Sequence, residues 1–303
     1  MKKGRNIKGN MILMLTAFIW GTAFVAQSVG MEYVGPFTFI TIRYIIGGIF
    51  LVPCIVLLDK LYKDSSKNST KKNDKNLYIG GCLCGIILFI ASSFQQIGMK
   101  YTTVGKSGFI TALYIIIVPV LGLLFKKKVQ NKVWFSVIIA LIGLYLLCMK
   151  ENFEIEKGDF LILMCAISFS IHILVIDKYS PLVDAVRMSC IQFFIAGILG
   201  IIPMIIFEKP DMTNLLRAYS SILYAGVMSS GVAYTLQIIG QKYTSPVMAT
   251  LIMSLESVFA ALSGWIILGE VLSVKELTGC ILVFVGIIIA QLPNRKVSWL
   301  FNK

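Results

Sequence analysis

Gln95-Gln96-Ile97-Gly98-Met99-Lys100-Tyr101-Thr102 recurs 142 residues later as Gln237-Ile238-Ile239-Gly240-Gln241-Lys242-Tyr243-Thr244; the glutamine, glycine, lysine, tyrosine and threonine coincide. The same offset lays Tyr114 over Glu256 and Gly122 over Gly264. A second offset, of 149, aligns Lys8-Gly9-Asn10 through Asp59-Lys60 with Lys157-Gly158-Asp159 through Glu208-Lys209. The chain is thus two homologous halves, residues 1–150 and 151–303. Apolar segments run roughly over 9–29, 36–58, 77–99, 104–125 and 132–149 in the first half, and over 158–177, 183–207, 215–240, 246–268 and 274–292 in the second. Five is odd, so in a membrane the second half lies upside down relative to the first. The expected fold is an all-α polytopic membrane protein, with ten transmembrane helices arranged as two inverted five-helix repeats. Inverted repeats are typical of alternating-access transporters, which bind substrate between the repeats near the midplane.

Composition points the same way. Of 303 residues, 57% are hydrophobic and 14% charged, and the mean hydropathy is +0.83; a soluble domain carries about 25% charged residues. An ordinary soluble enzyme is excluded. A span needs about 20 apolar residues, so ten spans leave no room for a second, water-soluble domain. The formal charge of +13 does not imply nucleic acid, because the basic residues cluster between apolar runs as the positive-inside rule requires. With the N-terminus in the cytoplasm, that side holds 19 of the 28 Lys and Arg and the opposite side seven; Arg43 and Arg187 fall within spans. Both termini are therefore expected in the cytoplasm of a plasma membrane protein.

The remaining segments are quiet. Asp59–Asn76 is rich in lysine, serine and asparagine and reads as a solvated loop. The basic Met1–Asn10 resembles the start of a signal peptide, but it lacks a convincing cleavage site, so span 1 is expected to stay. All seven cysteines lie inside apolar stretches and read as small membrane-buried hydrophobes. No metal or other cofactor is expected, since Cys82 and Cys84 have no partner pair and His172 is the lone histidine.

Several motifs resemble the drug/metabolite transporter superfamily (DMT), specifically its EamA-type permeases. They are Phe18-Ile19-Trp20-Gly21, Pro36-Phe37 with Ile42-Arg43, Leu255-Glu256-Ser257-Val258-Phe259-Ala260-Ala261-Leu262, Leu268-Gly269-Glu270-Val271-Leu272-Ser273, and Leu277-Thr278-Gly279 with Gly286. The resemblance covers essentially the whole chain. Ser257 departs from it, standing where the family usually has proline, and Lys128 replaces an expected glutamate. The resemblance implies solute transport without naming the solute.

Ionisable groups inside the hydrocarbon cost about 2.5–3.5 kcal/mol at mid-span. Glu256 is the one acidic residue at the centre of a span. It reads either as the ion-coupling carboxylate and cavity wall, or as a helix-packing group. Arg43, two turns into span 2, either attracts a substrate carboxylate or pairs with a carbonyl; the repeat matches it to Gln192. Arg187, near the end of span 7, is expected to snorkel to the headgroups. Ser92, Gln95 and Gln96 share a face of span 3, and Ser230, Tyr234, Gln237 and Gln241 share a face of span 8. These stripes line either a wet cavity or a helix–helix contact. Trp20 and Phe24, with Gln27 on the same face, and Tyr114 offer aromatic walls. His172 reads as a hydrogen-bonded core residue and Trp265 as an interfacial anchor. Gly47-Gly48, Gly80-Gly81, Pro119 and Pro203 are the expected bends.

The leading expectation is a secondary transporter, an exporter of small organic solutes such as amino acids, metabolites or drugs, working by alternating access through a central cavity. There is no nucleotide-binding loop, so a gradient must supply the energy, by proton coupling through Glu256 or by exchange. The alternative is a flippase for a lipid-linked headgroup, disfavoured by the single arginine deep in the membrane. An enzyme is excluded by the lack of a metal motif or nucleophile–base set.

Overall fold

Helices start where the sequence supplies caps and end where it runs out of apolar residues. The computed structural model describes residues 2–61, 74–102, 104–124, 129–148, 157–268 and 272–292. The helices are α1 Lys2–Met31, α2 Pro36–Leu61, α3 Asp74–Gly98, α4 Val104–Thr111, α5 Tyr114–Leu124, α6 Asn131–Cys148, α7 Lys157–Tyr179, α8 Ala185–Phe207, α9 Met212–Arg217, α10 Tyr219–Leu223, α11 Thr235–Gln241, α12 Pro246–Met253, α13 Leu255–Leu268 and α14 Val274–Gln291. Tyr224–Tyr234, between α10 and α11, is π-helical. Pro36 opens α2, Asp184 caps α8 through the Arg187 N–H, and Ser273 with Glu276 forms a capping box on α14. The solvated loop expected over Asp59–Asn76 falls mostly outside the described residues.

Among the described residues, nine helical stretches are long and apolar enough to cross a bilayer, and Asn131–Leu147 is somewhat shorter. The surface bears them out. Ile198, Ile202, Ile205, Ile206 and Phe207 on α8, and Ile281 and Ile288 on α14, are exposed, which only a lipid solvent tolerates. Trp265 joins them at 53% exposure. Of the cysteines with described side chains, Cys54 and Cys82 are half-buried and the other four buried; Cys148 lies outside that set.

The halves interleave rather than sit side by side. α1 packs most extensively against α13, α3 against α7 and α8, α2 against α8, and α6 against α14. Each of these contacts joins one half to the other. The α2–α8 contact obeys the repeat in detail. A Cβ on Gly48 would meet the Phe194 ring, and one on Gly197 would meet Ile45; these four residues are two pairs at the 149-residue offset. The ends of the pair are fastened by equivalent contacts too. At one end the Arg187 guanidinium donates to Asp59 at 2.7 and 2.8 Å. At the other, Glu208 accepts from the Phe37 and Thr38 N–H groups at 2.9 and 2.7 Å and from the Thr38 hydroxyl. Asp59 corresponds to Glu208, and Thr38 to Arg187. Arg187 thus satisfies its charge on α2 and not on headgroups alone.

The expected bends are not where the helices break. α2 continues through Gly47-Gly48 and Pro53, α3 through Gly80-Gly81, α5 through Pro119 and α8 through Pro203. Packed neighbours let transmembrane helices absorb proline and glycine without breaking. The interruptions fall at Ala112-Leu113, between α4 and α5, and at Ser254, between α12 and α13. Ala112 and Ser254 are repeat equivalents. There the chain turns through i→i+3 bonds, Ile115 N–H to the Ala112 carbonyl at 3.0 Å and Ser257 N–H to the Ser254 carbonyl at 3.3 Å.

Candidate functional site

In the first turn after the two interruptions stand Tyr114 and Glu256. Their side chains meet: the Tyr114 hydroxyl donates to a Glu256 carboxylate oxygen at 2.8 Å. Two residues at the same position of the two repeats thus touch across the pseudo-twofold axis. Gly21 makes this possible, since a Cβ there would stand 2.5 Å from the Phe259 Cβ and 2.8 Å from the Glu256 carbonyl. The bare backbone of α1 lets α13 come close enough to place Glu256 inward.

Glu256 faces a cavity of about 50 Å³ lined by Trp20, Phe24, Gln27, Arg43, Gln95, Thr111, Tyr114, Phe169, Ile173, Ser229, Tyr234, Gln237, Met253 and Glu256. Ten of these fourteen residues form five repeat-equivalent pairs: Trp20 with Phe169, Phe24 with Ile173, Gln95 with Gln237, Thr111 with Met253, and Tyr114 with Glu256. The cavity therefore sits on the axis relating the halves. It admits only a few water molecules and is far smaller than the 300–1,000 Å³ or so of ligand pockets. A second cavity, of about 770 Å³, lies where α1 and α12 begin and α14 ends, lined in part by Asn10, Lys132, Thr244, Met248 and Gln291.

The polar side of the central cavity is a connected network. Arg43 is 2% exposed. Its guanidinium donates to the Gln27 side-chain oxygen at 2.8 Å, to the Tyr44 hydroxyl at 2.7 Å and to Ser92 at 3.5 Å. Tyr44 also bonds to Ser92, and Gln96 donates to Gln27. Gln95 donates to Thr111 at 3.5 Å. The aromatic side is equally fixed. The Trp20 indole N–H donates to the Ser229 carbonyl at 3.2 Å, and its ring meets Tyr234 edge-on at 4.7 Å between centroids. His172 shares a 3.2 Å hydrogen bond with Gln192 and packs against Tyr234.

Of the residues singled out from sequence, Trp20, Phe24, Gln27, Arg43, Gln95, Tyr114, Tyr234, Gln237 and Glu256 line this one cavity. Ser92, Gln96 and Ser230 do not. Ser92 and Gln96 stand behind it, holding Arg43 and Gln27. Ser230 points at Gly47 of α2, and Gln241 donates to the Ile173 carbonyl at 3.0 Å. The span-8 stripe splits because Tyr224–Tyr234 is π-helical. The wider turn shifts the helical phase, and Ser229 reaches the cavity in place of Ser230. Sequence reasoning missed Phe169, Ile173, Thr111, Met253 and Ser229. The first two are the repeat partners of Trp20 and Phe24, so carrying the chosen residues across the offset would have found them. Nothing in the sequence marks Ser229.

The EamA-like transporter family model matches residues 7–149 and again 156–291, once per half. The chain belongs to the EamA-like transporter family. It is 32% identical over 281 residues to an uncharacterized transporter of Archaeoglobus fulgidus, covering 92% of this chain and 84% of the relative. An uncharacterized transporter of Clostridium kluyveri is 25% identical over 307 residues, covering 96% and 95%. A crystal structure sharing 16% identity superposes with a TM-score of 0.75 over 95% of this chain and 98% of its own. This EamA-like transporter is thus a multi-pass membrane protein whose two family units meet at the central cavity.

Proposed function

We propose that this transporter is a gradient-driven exporter of small organic solutes, working by alternating access through the central cavity, in the plasma membrane with both termini cytoplasmic. The observation that carries the reading is the siting of the cavity. Five repeat-equivalent pairs line it, and helices interrupted at equivalent positions flank it, the arrangement that inverted-repeat carriers use to bind substrate at the midplane. The wider cavity at the N-terminal face supports loading from the cytoplasm. Because the halves interleave, the bodies that move are groups of helices drawn from both. Glu256 is the coupling group, a buried carboxylate on the axis that exchanges a proton with the side to which the cavity opens.

Solute counterflow in proteoliposomes tests this, with labelled amino acids, nucleobases and quaternary amines, each with and without a pH gradient. Transient accumulation of one class is the expected result. Glu256→Gln should retain exchange and lose its response to the gradient. An unaltered gradient response would remove Glu256 from coupling. No accumulation in any class by folded protein would reject the carrier reading and make lipid scrambling the next assay.

A further inference from the structure

We propose that Arg43 is the anchor for a carboxylate on the transported solute, so that this carrier moves carboxylate-bearing molecules and not cationic drugs. The inference rests on the carrier reading above and narrows its substrate class.

Among the described residues Arg43 makes no ion pair, although Glu256 lines the same cavity. Its hydrogen-bond acceptors, Gln27, Tyr44 and Ser92, are all neutral, and among the described residues no carboxylate lies within ion-pair distance of it. Its Nε has no partner at all. A buried guanidinium held only by neutral groups is costly in a low-dielectric setting. The fold does not demand that cost. At the repeat-equivalent position α8 carries Gln192, buried in a closely similar helix contact, and serves with a neutral side chain hydrogen-bonded to His172. The positive charge is therefore specific to the cavity that Arg43 lines, while Gln192 is not among the cavity residues.

The surroundings favour a carboxylate over larger anions. Gln27, Tyr44 and Ser92 occupy part of the guanidinium fork and hold it in one orientation, which suits a planar monoanion. A phosphate would call for further cationic donors, and Arg43 is the lone Lys or Arg among the described residues on the cavity wall. On the same cavity wall, the Gln237 side-chain oxygen is buried and unpartnered, available to accept an N–H from the same solute. The rest of the wall joins an aromatic and apolar side, with Trp20, Phe24, Phe169 and Ile173 as a surface for a modest side chain, to a polar side that includes Thr111 and Glu256.

The test uses matched sets in the same proteoliposomes: leucine, valine and phenylalanine, each beside its decarboxylated amine and its deaminated acid. Binding is read in parallel by Trp fluorescence of detergent-solubilised protein. Carboxylate-bearing members should bind and exchange, and the amines should not. Arg43→Gln copies the side chain that the second half already accommodates, so folding is expected to survive, checked by its unfolding midpoint. It should weaken carboxylate binding by about tenfold to a hundredfold, the usual worth of a hydrogen bond to a charged group. Arg43→Lys should recover part of the loss. Amines moving as well as the acids, or Arg43→Gln binding carboxylates undiminished, would overturn the proposal. Transport confined to nucleobases or quaternary amines would overturn it while leaving the carrier reading intact. Carboxylate binding without exchange of any solute would uphold the anchor and remove the carrier reading.

Discussion

At the scale of single residues, the Tyr114–Glu256 bond and the Gly21 contact give two direct tests. Tyr114→Phe leaves a buried acceptor without its donor, a loss of about 1–3 kcal/mol. In a cycle with Glu256→Gln, the two substitutions should be non-additive by about 0.5–3 kcal/mol in unfolding free energy; strict additivity would mean the bond contributes nothing. Gly21→Ala is the harsher change. Its Cβ would press on the Phe259 Cβ, the Ala260 amide and the Glu256 carbonyl, and backbone does not yield as a flexible side-chain end does. A lower unfolding midpoint is expected, together with loss of exchange, because α13 must retreat and carry Glu256 with it. Midpoint and exchange at wild-type values would show that α1 and α13 part without consequence.

At the scale of elements, the π-helical Tyr224–Tyr234 sets which side chains of span 8 face inward. Deleting Met228, which lies on the exposed side, should let the segment relax towards an α-helix. Each residue turns an α-helix by about 100°, so Ser229 and Tyr234 would leave their present faces and the Trp20 contacts would be lost. The expected outcome is correctly inserted, folded protein with no exchange; retained exchange would mean the phase of span 8 is immaterial. This element also marks the limit of what the sequence makes legible. Hydropathy and self-similarity are one-dimensional properties, and they suffice for the spans, the duplication and nine of the cavity residues. The breaks are different. Thr111-Ala112-Leu113 and Met253-Ser254-Leu255 contain neither glycine nor proline, while Pro119 and Pro203 sit inside continuous helices. Tertiary packing, and not local propensity, decides where these helices part. The π-helical phase is equally hidden, because it depends on what α1 and α2 press against.

At the scale of the whole molecule, the two equivalent fastenings of α2 to α8 differ in strength in a predictable way. Asp59 and Arg187 are partly exposed, with side chains 54% and 34% accessible, so Asp59→Asn should cost at most about 1 kcal/mol and less in high salt. Glu208 takes hydrogen bonds from two backbone N–H groups and a hydroxyl at the start of α2, where the helix dipole favours a negative charge. Glu208→Gln should therefore lower the unfolding midpoint more than Asp59→Asn, with a smaller dependence on salt. The reverse order would show that the ion pair, and not the carboxylate cap, secures the contact. Two helices from opposite repeats, tied at both ends and meshed glycine to side chain between them, resist parting along their whole length. On the alternating-access reading proposed above, the motion that exposes the cavity to one side and then the other turns about that contact. In that reading the α2–α8 pair is the axle and the helices farther from it are the lever arms, which sweep the greater distance for the same small rotation.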